Sequence, residues 1–194
     1  MDFVKYVENK KKEARLRNIK ELRAQIDEPW VREKIINHIT FFEGLMSYED
    51  VRQGILDNII IASKFCKDPS KQNISEKAAI ELLGVEKLPQ AGARSIRFND
   101  SGDIVHTAQG NTKSADFKLN EYFATQKYTN ETGGAQDNQR NDVIDFLKRG
   151  SIKNKVAAVV DGPYWDKHWR AELAKMFADN SNVLITSVAE LVQE

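Results

Sequence analysis

Scarcity shapes the first reading of this chain. A single cysteine among 194 residues excludes a disulfide-stapled scaffold. Its place at the end of Ile59-Ile60-Ile61-Ala62-Ser63-Lys64-Phe65-Cys66 predicts a buried thiol in a reducing compartment. Neither charge is in excess, with 29 basic and 29 acidic residues, so composition lends no support to an overall basic nucleic-acid binder. A balanced total can still hide a charged face. No apolar run approaches the roughly 20 residues that cross a bilayer, and Met1-Asp2-Phe3-Val4-Lys5 is not a basic patch followed by an apolar core. The expectation is a cytoplasmic protein without a membrane partner. Nothing repeats at a fixed period, which excludes a solenoid. His38, His106 and His168 are too scattered for a zinc site, and Gly133-Gly134 is too short for a phosphate-cradling loop.

What is present is a globular composition, 41% hydrophobic and 30% charged, in a chain long enough to bury one core with a helical extension. Residues 1–88 read as a helical region. Ile19, Leu22 and Ile26 form one stripe, and Val31, Ile35, Ile39 and Phe42 continue it after Pro29. Tyr48 to Cys66 reads as one further helix, and Ser75 to Gly84 as a capped helix with a glycine stop. Residues 89–194 change character. Arg94 to Asn99 and Ile104 to Ala108 flank a turn, as do Ser114 to Leu119 and Tyr122 to Tyr128, which predicts two hairpins. A helix from Asp137 to Arg149, a strand at Val156 to Val160, a helix from Tyr164 to Phe177 and a strand at Val183 to Ile185 follow. The fold class expected is α/β (α+β), a mixed central sheet flanked by helices, after an N-terminal helical region.

The second hairpin carries the chemistry. Opposed residues of antiparallel strands share a face. A hairpin folded at Asn120 sets Asp116 opposite Ala124, with Gln126 further along. A two-residue turn at Asn120-Glu121 sets Asp116 opposite Thr125, with Lys127 following. Both registers are open in the sequence. Asp116 alone reads as a solvated strand residue sooner than as a metal ligand, and Phe117 and Phe123 read as core. Arg94, Arg97, Gln109, Asn111, Lys113 and Ser114 are residue types that read base edges or hold phosphates, and equally ordinary loop chemistry. Lys10-Lys11-Lys12 with Arg15, Arg17, Lys20 and Arg23 fits phosphates or a solvated helix face equally well. Trp165, Trp169, Leu173 and Met176 fall at helical spacing and are expected to pack on the sheet.

From about Lys113 onward the sequence resembles the PD-(D/E)XK nuclease superfamily, more narrowly the type II restriction endonucleases. The elements are Asp116-Phe117 on one strand, and a second strand where an acid, any residue and then Lys, Gln or Asn are expected, with a tyrosine two positions later. Gly133-Gly134-Ala135-Gln136, an amphipathic helix, Asp161-Gly162 and the Trp165 and Trp169 helix continue it. The resemblance implies a restriction-endonuclease-like fold, double-stranded DNA as substrate, and Mg2+ as cofactor to activate water and neutralise developing charge. Asp116 would be a metal ligand. Counting back from Tyr128 puts Gln126 at the water-orienting position and Ala124 where the second acid is expected; the other register offers Lys127 and Thr125. Gly133, Gly134 and Gln136 would approach DNA, and a homodimer would present two sites to both strands. Ala115 stands where the family often has proline, and the second acid is missing. A deliberate Glu→Ala change, a naturally non-cutting homologue, or an acid supplied by Glu131 or Asp137 would account for that loss; one subunit of a two-subunit enzyme is the alternative to the homodimer. The expected chain is inactive as written, and a helical interaction protein without a nucleic-acid role is the remaining reading.

Overall fold

A computed structural model describes residues 1–40, 45–108, 110, 112–129 and 134–193, with backbone alone at 134–136, 167 and 168. Among the described residues the architecture is mixed α+β, with eight helices, a five-stranded mixed sheet and a separate three-stranded sheet. The chain divides into two compact units, Val7–Ile74 and Met1–Tyr6 with Ser75–Glu194.

The helical unit is built on α1 (Phe3–Ala24), whose first residues belong to the sheet unit, with α2 (Pro29–Ile39), α3 (Tyr48–Asp57) and α4 (Ile59–Phe65). Its core gathers Ile19, Leu22, Ile26, Val31, Ile35, Val51, Ile55 and Phe65 around the buried Cys66. The single helix expected from Tyr48 to Cys66 is two. Asn58 adopts an extended backbone and its side-chain oxygen accepts from the Ile60 and Ile61 N–H groups. An asparagine offers that acceptor locally, so it ends one helix and starts the next.

The sheet unit opens with α5 (Ile74–Leu83), stopped at Gly84 with φ of +62°. Ser75 lies inside this helix rather than capping it. The large sheet runs β1 (Glu86–Lys87), β5 (Phe117–Leu119), β6 (Tyr122–Tyr128), β7 (Val156–Asp161), β8 (Val183–Thr186) in spatial order. The first three strands are antiparallel neighbours; β6, β7 and β8 are parallel. Two crossovers make that possible. One is α6 (Gly134–Gly150); the other is a π-helical turn at Trp165–Trp169 that leads into α7 (Arg170–Met176). Val143, Phe146, Leu147, Trp165 and Leu173 pack with Val156, Ala158 and Val160 in one core, so both crossovers cover the same sheet face. Met176 was expected in that layer and is instead 55% exposed, because the π turn changes the helical phase after Trp165.

The first expected hairpin forms with a short ladder, β2 (Arg97–Phe98) against β3 (Ile104–Val105), and β4 (Lys113–Ser114) adds to the other side of β2. The predicted strand from Ser114 to Leu119 is therefore shared between two sheets. A short α8 (Val188–Leu191), closed by a Ser187–Glu190 capping box, follows β8.

Candidate functional site

The β5–β6 register decides which residues meet. Leu119 faces Tyr122, Lys118 faces Phe123 and Phe117 faces Ala124. Asn120 sits at φ of +50°, a conformation asparagine tolerates, and closes a two-residue turn with Glu121. Just before this ladder the Asp116 N–H donates to the Ala124 carbonyl at 2.8 Å, while its carboxylate reaches the Thr125 hydroxyl; by alternation along β6, Thr125 and Lys127 share one face. Of the two open alternatives, the Asp116 side chain meets Thr125, while Ala124 and Gln126 alternate to the other face of β6. Ala124 is buried against Phe117 on the opposite face, and Gln126 points the same way with its amide nitrogen buried and without a hydrogen-bond partner.

Asp116 is only 8% exposed and its carboxylate is fully engaged. One oxygen accepts from Thr125 Oγ1 at 2.9 Å and from the Gln126 main-chain N–H at 2.8 Å; the other accepts from Gln90 Nε2 at 3.2 Å. Gln90 also receives the Ser114 hydroxyl at 3.0 Å, and its carbonyl accepts from Arg97 Nη2 at 2.7 Å. Reasoning from sequence missed Gln90. It lies 26 positions from Asp116 in a loop, and no local periodicity signals such a contact.

Lys127 is half-buried and makes no hydrogen bond or ion pair with the described residues. Arg97 keeps its Nε buried and unpaired. Arg94 is exposed beside Glu86, Lys87, Leu88 and Pro89, which together line a shallow depression. Lys113, in contrast, is spent on α6, at 2.6 Å from Asp142 and 3.8 Å from Asp145. Gln109, Asn111, Glu131 and Gly133 lie outside the described residues; Gly134 begins α6, and of Gln136 only the backbone is described. Asp137 accepts from the Tyr164 hydroxyl at 3.4 Å and pairs with Arg140 at 3.5 Å, so its carboxylate serves α6 and the π turn rather than Asp116.

The carboxyl ends of the parallel strands are fixed by a second network. Thr129 donates to Gln139 Oε1 at 2.7 Å and accepts from Trp165 Nε1 at 3.2 Å, which ties the end of β6 to α6 and to the π turn. Arg140 lies 4.1 Å over the Trp169 ring. Gly162, at φ of +102°, is required there: a Cβ would sit 2.4 Å from the Thr129 carbonyl oxygen. Next to it burial pushes the Asp161 carboxyl up to about 7. Asp166 and Glu190 add to that, while the Val188 N–H and Arg170 oppose it. Its oxygens accept from Val188 N–H at 3.1 and 3.3 Å.

A magnesium centre of the type expected needs at least one further carboxylate beside Asp116. The β6 side chain that meets Asp116 is Thr125, whose hydroxyl donates to it instead of offering a second charge. Among the described residues no three His, Cys, Asp or Glu side chains converge to hold a metal. These residues do not fit the ion. Compared with family models, with curated proteins and with solved structures, the chain matches none.

Proposed function

We propose that the sheet unit is the scaffold of a type II restriction endonuclease of the PD-(D/E)XK kind, binding double-stranded DNA but lacking, at position 125, the second acid for Mg2+-dependent cleavage. The observation that carries this reading is the Asp116, Thr125 and Lys127 face. It keeps the acid-to-lysine spacing with a threonine in place of the acid, although Tyr128 then follows the lysine directly, and its half-buried ammonium has no partner among the described residues. An ammonium that no described residue pairs suits a phosphate oxygen, since charge-assisted hydrogen bonds to phosphate are the strong ones. In this chain Asp116 orders the strand pair, Lys127 and Arg97 hold phosphate, and Arg94 approaches the duplex from the rim. Two copies acting together would address both strands of a palindromic site.

Duplex binding measured by fluorescence anisotropy, without metal and over a series of salt concentrations, tests the reading. The affinity should fall steeply and linearly on a log–log plot. Lys127→Ala should reduce the slope by about one, as loss of one phosphate contact does, and leave stability within about 0.5 kcal/mol because no described residue bonds its ammonium. Failure to bind any duplex at low salt would favour a helical interaction protein without a nucleic-acid role.

A further inference from the structure

In the helical unit, α1 and α4 leave between them a groove of about 360 Å3 lined by Lys12, Arg15, Leu16, Ile19, Ile59, Ile60 and Ser63. Its aliphatic side chains are unusually open to water, with Leu16 57%, Ile59 51% and Ile60 68% exposed. Contiguous exposed aliphatics of this kind mark interaction sites. The charged side chains among its described lining residues are both cationic. Lys12 and Arg15 line the groove and no carboxylate does; Asp68, which feels Arg15, spends its carboxylate on the Ser70 N–H.

We infer that this groove docks an acidic amphipathic helix of a partner protein, whose aliphatic side chains at successive turns enter between α1 and α4 while its carboxylates meet Lys12 and Arg15. Helix-in-groove recognition places apolar anchors at such spacing, and charge complementarity selects the flank. A second copy is disfavoured by the same charges. Over Phe3–Ala24, α1 carries eight lysines and arginines against three glutamates, so stacking α1 on α1 would oppose two strongly basic helices. A nucleic acid would satisfy the cations but leave Ile59 and Ile60 against a polyanion. The inference is independent of the proposed nuclease scaffold.

The test uses the full chain and a fluorescein-labelled synthetic helix with Leu at i, i+3, i+4 and i+7 and Glu on the flanks. It is titrated beside the scrambled peptide and a version with every Glu changed to Lys. The Glu peptide should bind at least tenfold tighter than either control. Binding should be lost in Ile60→Asp, whose circular dichroism and melting stay those of the parent because Ile60 is on the surface. Lys12→Glu with Arg15→Glu should reverse the preference toward the Lys peptide. Equal binding of the three peptides, or binding indifferent to Ile60→Asp, overturns the inference. So does displacement of the peptide by duplex DNA, or a dimer in sedimentation that Ile60→Asp dissolves.

Discussion

Replacing Asp116 separates a structural carboxylate from an idle metal ligand. In this structure it accepts three hydrogen bonds, and the Gln126 N–H it satisfies lies in a strand whose Thr125 and Gln126 are both buried. Asp116→Ala leaves that main-chain donor unpaired in the interior. The Thr125 hydroxyl can rotate toward another acceptor, and Gln90 is exposed enough to find water. A hydrogen bond to a charged group contributes about 1.5–3 kcal/mol, and an orphaned buried donor costs about 1–3 kcal/mol. Because the Gln126 N–H dominates, the expected loss is roughly 3 kcal/mol. At about 2–4 °C per kcal/mol for a chain of this size, the melting temperature should drop by roughly 6–12 °C. Asp116→Asn keeps one acceptor oxygen and should lose about half as much. Urea unfolding of the three proteins, followed by circular dichroism, provides the comparison. A variant Asp116→Ala within about 0.5 kcal/mol of the parent would refute the claim that this carboxylate is part of the hairpin's framework.

The raised Asp161 pKa makes stability depend on pH. The folded protein holds this proton more tightly than the unfolded chain, so the group's full contribution is present below about pH 3.8 and is lost as pH rises to about 7. At about 1.36 kcal/mol per pH unit the loss is at most roughly 4 kcal/mol. The stability gap between Asp161→Asn and the parent should therefore widen in the variant's favour from pH 4 to pH 7, and a constant gap in urea unfolding across that range would show that Asp161 titrates normally. Gly162→Ala, with its Cβ driven into the Thr129 carbonyl, should cost more than about 2 kcal/mol in the same assay. Asn58→Ala removes the α4 cap and should cost about 1 kcal/mol, with amide exchange quickening at Ile60 and Ile61.

Much of the fold was legible because periodicity and turn chemistry are local. The glycine at the end of α5, the apolar β7 and the α6 crossover all stand where pattern placed them. The register of the second hairpin was not, since both alternatives bury comparable side chains and differ only in whether the turn spends one residue or two. Asn120 in a left-handed conformation selects the two-residue form. With that step the Asp116 carboxylate meets the Thr125 hydroxyl, and Ala124 and Gln126 lie on the other face of β6 from Thr125 and Lys127. The break at Asn58 was hidden by apolar residues that continue helical spacing on both sides, and the displaced Met176 by a π turn that periodicity does not register. Gln90 was invisible for a different reason: its role depends on three partners distant in sequence.

On the proposed nuclease scaffold the missing acid falls at position 125, not 124, and paired substitutions test this directly. Thr125→Glu and Ala124→Glu are each melted with and without Mg2+ and then incubated with duplex DNA and Mg2+. Thr125→Glu sets two carboxylates side by side and should destabilise the protein without metal. Mg2+ should restore its melting temperature and bring cleavage that Asp116→Asn abolishes. Ala124→Glu buries an unpaired carboxylate against Phe117 and should gain neither metal response nor cleavage. Cutting by Ala124→Glu, or a Thr125→Glu protein whose melting ignores Mg2+ and whose DNA stays whole, would contradict the account.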